Sequence, residues 1–293
     1  ALWGKTGTGK TLTMMFFLNL LAELCRKRRI PLQHVNLDLA TPRPCFRALN
    51  DLACLLNASK RYQKGISLEE LMLRIEDALQ HYRGYLVLFI DEVDNLQRER
   101  DTFLAFLVRR LPQRIPAKLI LTFASNRLDW SDHLDPRVQS FLKLNELIFN
   151  PYDAEDLKRI LAISVEKALR PGALQEGVIE KIAALASREH GDARKAVGLL
   201  AKSAYLAEKE GNPIISLDMV DAAAQEIEQD RYTSMMRNAP PHLQVALAAT
   251  IEASRTAGVR AFTTGEAYTA YQAFCARAGL KPLGGRAFGD LLS

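Results

Sequence analysis

The feature that most constrains this chain lies near its beginning, in the run Gly-Lys-Thr-Gly-Thr-Gly-Lys-Thr at positions 4–11. Its glycines let the backbone turn tightly enough for successive N–H groups to point at phosphate oxygens. In this pattern Lys10 reaches the β- and γ-phosphates, and the hydroxyl of Thr11 binds Mg²⁺. The apolar run from Leu12 to Leu24 predicts a mostly buried helix, whose N-terminus carries ~+0.5 of a charge toward the phosphates. A glycine-rich turn without a ligand is the alternative, but a complete match directly before a helix favours a nucleoside triphosphate site.

Two adjacent carboxylates follow an apolar strand later in the chain. Residues 85–90 read Tyr-Leu-Val-Leu-Phe-Ile, as expected of a central strand that is covered on both faces. We predict that the next residue, Asp91, holds Mg²⁺ through its water shell and that Glu92 orients and polarises the attacking water. An Asp-Glu pair alone is weak evidence, since such pairs are common on surfaces. Downstream of a complete phosphate loop, it indicates the second half of an ATPase site.

A third polar position follows the strand predicted over 118–124. The amide of Asn126 at that strand tip is placed to hydrogen-bond the γ-phosphate and the attacking water. The alternative is an ordinary turn-forming Ser-Asn pair. Further strands at 32–37 and 145–149 alternate with helical patterns at 43–56, 68–81 and 103–110. This alternation predicts an α/β base with a parallel sheet over 1–150, with ligands at the carboxyl ends of the strands.

The rest of the chain is predicted to be helical. Residues 151–230 predict an α-helical lid bundle, and Arg194, which begins one of its helices, is either a γ-phosphate contact or a solvated charge. Residues 231–293 predict three short helices in a helix-turn-helix arrangement, including a capping box from Thr263 to Glu266, with no room for a wing before the end.

The amino-acid composition indicates which kinds of partner this chain can bind. Thirty-nine Lys and Arg against 34 Asp and Glu give a net charge of +5, which suits a polyanion. The basic run 26–29 is either a nucleic-acid patch or, as we favour, a set of positive charges that complements the negative end of a helix dipole.

The scattered cysteines predict a reduced, cytosolic chain without a zinc site, and no apolar run reaches the ~20 residues that span a membrane. Only three residues precede the phosphate loop, so we expect part of the usual upstream segment to be missing.

Together these residues resemble the AAA+ initiators of archaeal DNA replication, relatives of the eukaryotic origin recognition complex. The resemblance runs along the whole chain. It rests on the phosphate loop, Asp-Glu-Val-Asp at 91–94, Asn126, Leu-Asp-Pro-Arg-Val at 134–138, Pro-Tyr at 151–152, Gly-Asp-Ala-Arg-Lys-Ala at 191–196, and Thr-Gly-Glu-Ala-Tyr at 264–268. It implies an AAA+ phosphate-loop ATPase base, a helical lid and an incomplete C-terminal winged-helix domain. It also implies ATP/ADP as the bound nucleotide, and slow, Mg²⁺-dependent ATP hydrolysis that switches binding to double-stranded origin DNA. The implied partners are the replicative helicase and other initiator subunits, at a cytoplasmic, nucleoid-associated location.

The predicted site residues follow from these motifs. The nucleotide-binding set is Gly4, Lys5, Thr6, Gly7, Thr8, Gly9, Lys10, Thr11, Leu12, Tyr152 and Arg194. The catalytic set is Glu92, Asn126 and Arg194, and the metal set is Thr11 and Asp91.

The sequence departs from the family in three places. We expect the segment that packs on adenine in this family to be missing from the sequence. Phe141 stands where relatives often carry a trans-acting arginine, which leaves Arg137 as the candidate arginine finger. Gly284 and Gly285 replace more polar residues at the start of the recognition helix, so Lys281 and Arg286 are the candidate DNA-phosphate contacts.

Two other functions remain open at this point. One is another AAA+ DNA-remodelling ATPase, either clamp-loader-like or a transposition helper. A clamp loader would more often show Ser-Arg-Cys where Ser-Phe-Leu stands at 140–142, and would lack the helix-turn-helix. The other is a nucleotide-stabilised DNA-binding scaffold with negligible turnover, which a turnover assay distinguishes.

Overall fold

Five parallel strands form the sheet that organises the first part of the chain, in the order β2-β3-β4-β1-β5. The computed structural model describes residues 1–142, 144–258 and 261–292. The strands are β1 (Leu2–Gly4), β2 (Leu32–Asp38), β3 (Tyr85–Asp91), β4 (Lys118–Ser125) and β5 (Leu147–Phe149). The predicted parallel sheet is confirmed.

Strand β3 is buried from Leu86 to Asp91, as its continuous apolar run predicts for a strand with neighbours on both edges and layers on both faces. It pairs in parallel with β2 and β4, and β1 pairs with β4 and β5. This order brings the carboxyl ends of β3, β4 and β1 side by side. The phosphate loop, the acidic pair and Asn126 therefore leave the sheet at one edge.

Helices cover both faces of the sheet. They are α1 (Lys10–Lys27), α2 (Cys45–Leu55), α3 (Leu68–Leu79), α4 (Arg100–Ala105), α5 (Leu111–Arg114) and α6 (Pro136–Leu142). A π-helical segment at Phe106–Arg110 joins α4 to α5, so the helix predicted over 103–110 extends in both directions.

The prediction that the helix after the phosphate loop is mostly buried is wrong. Helix α1 buries Met14 and Leu18 against the sheet, in a cluster with Val87 and Phe89. Its other side exposes Leu12 (77%), Phe16 (71%), Leu20 (46%) and Leu24 (45%), four residues apart. A helix on a sheet buries one stripe, and no element among the described residues covers the opposite one.

A helical bundle with its own apolar core follows the sheet. It consists of α7 (Ala154–Ala168), α8 (Val178–Arg188), α9 (Ala193–Lys209) and the first part of α10 (Leu217–Asn238). The side chains of Asp153, Asp192 and Ser216 cap α7, α9 and α10 by accepting backbone N–H bonds in the first turn. The predicted helical lid is confirmed.

The last unit is α11 (Pro241–Ala257), α12 (Thr264–Arg277) and α13 (Gly285–Leu292). A separate core, which includes Tyr271 and Phe288, holds the three helices together. The predicted capping box is present, since Thr263 and Glu266 each accept a backbone N–H bond from the other. Residues 259, 260 and 293 of the predicted unit lie outside the described residues.

Within the ranges that the structure describes, no helix combines the length and apolarity needed to cross a membrane.

Candidate nucleotide-binding site

The phosphate loop connects β1 to α1 in a backbone shape that glycine permits. Gly7 and Gly9 have φ values of 80° and 86°, in the left-handed region. A Cβ at Gly7 would lie 1.8 Å from a carboxylate oxygen of Asp192, and one at Gly9 would lie 2.7 Å from the Tyr152 hydroxyl. The loop therefore packs closely against the residues that enter and begin the lid. The sequence predicted these glycines for the phosphates, but not for this contact with the lid.

Lys10 lies beneath the loop and is buried. Its Nζ donates to the carbonyl oxygens of Gly4 (2.7 Å) and Lys5 (2.9 Å) and to Oδ1 of Asn126 (3.1 Å). Burial lowers the pKa of Lys10, and the charge of Arg194 lowers this pKa further, against the opposite effect of Asp91. The structure thus brings the predicted phosphate lysine and the predicted strand-tip amide together.

The predicted metal residues also meet. The Thr11 hydroxyl donates to Oδ2 of Asp91 at 2.6 Å. Burial raises the pKa of Asp91, while the Thr11 hydroxyl bond lowers it. A hydroxyl and a carboxylate at the mouth of a phosphate loop are the hard oxygen donors that Mg²⁺ takes together with phosphate oxygens. The residues present therefore fit the ion.

Glu92 has a left-handed φ of 53°, which is uncommon for a residue with a side chain. Its N–H donates to Oδ1 of Asp91 (3.0 Å), and its Oε2 accepts from Nδ2 of Asn95 (3.0 Å). Partial burial raises the pKa of Glu92, and the neighbouring Asp91 raises it further. Sequence reasoning missed Asn95, although an amide three residues after the glutamate, in a tight turn, was a usable signal.

Asp94 is a second residue that sequence reasoning did not assign. Its Oδ1 accepts from the backbone N–H of Asn126 at 3.1 Å, which ties the tip of β4 to the acidic turn after β3. The position of Asn126 is thus fixed through its main chain by Asp94 and through its side chain by Lys10.

The lid reaches the loop at the start of α9. The N–H of Ala193 donates to the Gly7 carbonyl at 3.2 Å, and Oδ1 of Asp192 accepts from the N–H groups of Arg194 (2.8 Å) and Lys195 (3.4 Å). The Arg194 side chain is exposed, and its charge acts on both Lys10 and Glu92, opposing the rise in the pKa of Glu92. A cleft of about 430 Å³ at this junction is lined by Lys5, Thr6, Asn126, Glu189, His190, Asp192 and Lys195.

Other predicted residues lie apart from this cluster. Leu12 points outward from the first turn of α1. Arg137 is exposed on α6, where it lines a different cleft with Arg109 and Phe141. No described contact joins Arg137 to the phosphate loop.

The candidate DNA contacts, Lys281 and Arg286, are exposed before and within α13. The Tyr268 hydroxyl donates to the Leu283 carbonyl (2.9 Å), and the Leu283 N–H donates to the Tyr271 hydroxyl (3.3 Å). Two tyrosines of the core therefore fix the loop that presents Lys281.

Known protein families match each of the three units: the sheet-containing base, the helical lid and the last three helices. Residues 1–129 match a family model described as an AAA domain, 158–225 a Cdc6 AAA+ ATPase-type lid domain, and 234–293 a CDC6 C-terminal winged helix domain. ORC1-type DNA replication protein 1 of Archaeoglobus fulgidus is 33% identical over 100% of this chain and 71% of its own length. The ORC1-type DNA replication protein of Pyrococcus abyssi is 34% identical over 99% and 70%.

A solved structure of a related protein has the same fold as this chain. The Aeropyrum pernix ORC1 protein, determined in complex with DNA, superposes with a TM-score of 0.82 at 30% identity, over 99% of this chain and 75% of that one. The fold predicted from sequence, an AAA+ base with a lid and a winged-helix unit, is confirmed. This chain belongs to the family of ORC1-type DNA replication proteins.

Proposed function

We propose that this protein is an ATP-controlled replication initiator that binds double-stranded origin DNA and recruits the replicative helicase, with slow ATP hydrolysis as its switch. The observation that carries the proposal is the hydrogen bond from Ala193 to the Gly7 carbonyl, with Asp192 packed on the same glycine. Phosphates bound in the loop act directly on the residues that begin α9. Nucleotide state therefore changes how the lid sits on the loop.

The lid is connected to the last unit by a single helix. Met219, Val220 and Ala223 anchor the start of α10 in the lid core, and α10 continues to Asn238, next to the start of α11. We assign residues 1–150 to the base, 151–230 to the lid and 231–293 to the winged-helix domain. In this assignment a movement of the lid is transmitted along α10 to the DNA-binding helices.

The site residues have complementary roles in hydrolysis. Lys10 and the loop N–H groups bind the β- and γ-phosphates, and Arg194 binds the γ-phosphate from the lid. Thr11 and Asp91 would hold Mg²⁺, which neutralises phosphate charge when bound. Glu92 accepts the proton of the attacking water, and Asn126 orients that water. ADP remains bound through the loop once the γ-phosphate has gone.

We infer slow turnover from the hydrogen bonds that hold the two side chains assigned to hydrolysis. The Glu92 carboxylate is held by Asn95, and the Lys10 ammonium is held by two carbonyls and Asn126. Both groups must exchange these partners before they can act on water and phosphate. We infer that this rearrangement limits the rate and makes hydrolysis a timed switch.

DNA binding is supported by the relative from A. pernix, whose structure contains DNA and aligns over nearly the whole chain. In this chain we assign phosphate contacts to Lys281 and Arg286. The replicative helicase and other initiator subunits are partners by membership of the family, and Arg137 is the residue that we assign to a neighbouring subunit's nucleotide. The protein would then work on the chromosome in the cytoplasm.

The deciding experiment is a comparison of duplex affinity, on origin and unrelated DNA, with ATP, with ADP and without nucleotide. The Glu92→Gln variant serves to hold the ATP state. We expect affinity to differ between the ATP and ADP states, and single-turnover hydrolysis to be measurable. Equal affinity in all states, without turnover, would instead identify a nucleotide-stabilised scaffold.

A further inference from the structure

The amino-terminal edge of the sheet, opposite the nucleotide site, carries a cluster of basic side chains that the proposed function does not use. We propose that this amino-edge patch, Arg26, Arg28, Arg29, Arg83 and Lys118, is a second surface for the phosphate backbone of duplex DNA, independent of sequence and of the helix-turn-helix. The inference rests on the proposed function only in taking DNA as the partner.

The sheet register brings these residues together from distant parts of the chain. Leu32, Tyr85 and Lys118 are paired neighbours at the starts of β2, β3 and β4. The Pro31 carbonyl accepts from the Tyr85 N–H at 2.9 Å, and the Gly84 carbonyl accepts from the Lys118 N–H at 2.8 Å. Adjacent strands lie about 4.8 Å apart, so the patch crosses roughly 10 Å of sheet edge. A duplex presents one phosphate charge per about 1.7 Å of its axis, so several phosphates face such a span.

The basic turn after α1 has a fixed backbone. The N–H of Arg28 donates to the Leu24 carbonyl (3.1 Å), that of Arg29 to the Arg26 carbonyl (3.2 Å), and that of Ile30 to the Cys25 carbonyl (2.9 Å). These bonds end the helix and direct the chain into β2. The arginines are therefore attached to an ordered turn, which lowers the entropy cost of placing them on a phosphate backbone.

The charges of the patch are not neutralised within the described part of the chain. All five side chains are exposed, and the ion pairs found among the described residues include none of them. Lys27, in the same turn, differs because its Nζ is paired with Glu23 at 2.7 Å. Unpaired arginines keep their N–H donors available for phosphate oxygens.

Compensation of the helix dipole explains only part of the patch. Arg26 and Lys27 occupy the last turn of α1, where positive charge is favourable for any helix. Arg83 lies in the connection between α3 and β3, and Lys118 begins β4, so neither has such a relation to α1. The helix dipole therefore does not account for the basic side chains of Arg83 and Lys118 beside the turn, whereas binding of a polyanionic ligand would.

An aromatic surface borders the cations, as in sites that contact nucleic acid. Tyr85 is 36% exposed, and Nζ of Lys118 lies 5.4 Å from the centroid of its ring. The Tyr82 hydroxyl donates to the Tyr85 carbonyl at 3.1 Å and keeps a second ring nearby. Tyrosine rings contact sugars and bases. Leu24 and Ile30, which adjoin the basic turn, are also exposed, as they would be on a surface that contacts lipid. We choose DNA because the tyrosines border the cations and the proposed function already takes DNA as the partner, and a vesicle measurement separates the two surfaces.

The test is the salt dependence of binding to a labelled duplex of unrelated sequence, using the full chain. The patch variant is Arg26→Gln/Arg28→Gln/Arg83→Gln. The control is Lys167→Gln/Arg188→Gln/Lys209→Gln, which removes the same charge from three exposed residues in the last turns of lid helices. None of the three takes part in the ion pairs that the structure shows between described residues. Affinity decreases as salt increases, and we expect this dependence to be less steep in the patch variant. The magnitude of the slope of log affinity against log salt should decrease by about 2.7, at about 0.9 per lost phosphate contact, and should stay unchanged in the control. ATP affinity should match wild type in both variants, and both should lose some thermal stability, because each variant removes positive charge from the C-terminal end of a helix.

Three results would overturn the inference. An unchanged slope in the patch variant, with normal duplex binding by wild type, would show that the patch does not contact phosphates. An equal loss in the control would show a general charge effect. Unchanged duplex binding together with lost binding to phosphatidylglycerol vesicles would assign the patch to lipid. Failure of wild type to bind any duplex would contradict the proposed function itself, which is a separate outcome.

Discussion

Replacement of Asp192 by alanine tests whether the lid and the phosphate loop are energetically coupled. Asp192 is 9% exposed and accepts from the N–H groups of Arg194 and Lys195 at 2.8 and 3.4 Å. Loss of such an N-cap costs about 0.5–2 kcal/mol. If the first turn of α9 frays in the free protein and must reform around bound ATP, the variant binds ATP more weakly by at most this amount. The corresponding factor is about 2 to 30 in affinity.

The comparison needs a variant that separates the cap from the charge. Asp192 is negative and lies beside Gly7, so its removal also changes the field at the phosphates. Asp192→Asn removes the same charge but keeps a side-chain acceptor, and asparagine caps helices about as well as aspartate. The difference between Asp192→Ala and Asp192→Asn therefore reports the cap alone.

A second aspartate provides the control for general destabilisation of the lid. Asp153 caps α7 of the same bundle by accepting from the Asp156 N–H at 2.8 Å. Asp153→Ala should lower the unfolding temperature much as Asp192→Ala does, yet leave ATP affinity unchanged. The assays are titration with a fluorescent ATP analogue and thermal unfolding. Equal ATP affinity of Asp192→Ala and Asp192→Asn would refute the reasoning, because the start of α9 would then not respond to nucleotide.

Three further predictions concern the nucleotide and DNA sites. Lys10→Ala should weaken ATP binding by about 1.5–3 kcal/mol or more, measured by titration, because a charge-assisted contact to phosphate is lost; unchanged affinity would contradict the site. Glu92→Gln should retain ATP binding but slow single-turnover hydrolysis by roughly 10²-fold or more, and unchanged turnover would place the base elsewhere. Lys281→Ala/Arg286→Ala should reduce the salt slope of duplex binding by about 1.8 without altering hydrolysis in the absence of DNA, and an unaltered slope would make the helix-turn-helix a packing unit.

Much of the fold could be predicted because its signals are local. The apolar run of β3 and the alternation of strands with helices defined a parallel sheet, and that topology places the ends of its strands together. The contacts from Lys10 to Asn126 and from Thr11 to Asp91 follow from this rule and from the motif spacing. In these cases a short stretch of sequence determines a backbone element, and the fold brings the elements together.

The remaining features depend on contacts between distant elements. Leucine and phenylalanine in α1 indicated burial, but only the assembled layers show that Leu12 and Phe16 face away from the sheet. The run 26–29 suggested a helix end, and its neighbours Arg83 and Lys118 became visible only through strand register. Sequence spacing carries no information on such proximity, because these residues are separated by whole strands and helices.

The two faces of the phosphate loop explain how one small segment can serve both binding and signalling. On its inner face, Lys10 joins the loop to β4 through Asn126, and Asp94 ties Asn126 to the acidic turn. On its outer face, Gly7 meets Asp192 and accepts the N–H of Ala193, within the turn that carries Arg194. In the proposed function, a γ-phosphate in the loop would contact the inner set and attract Arg194 at the same time, whereas ADP would contact the loop and Lys10 but leave Arg194 without a phosphate partner. The difference between the two nucleotides therefore falls on the contact between loop and lid, which is the contact that the Asp192 variants weaken.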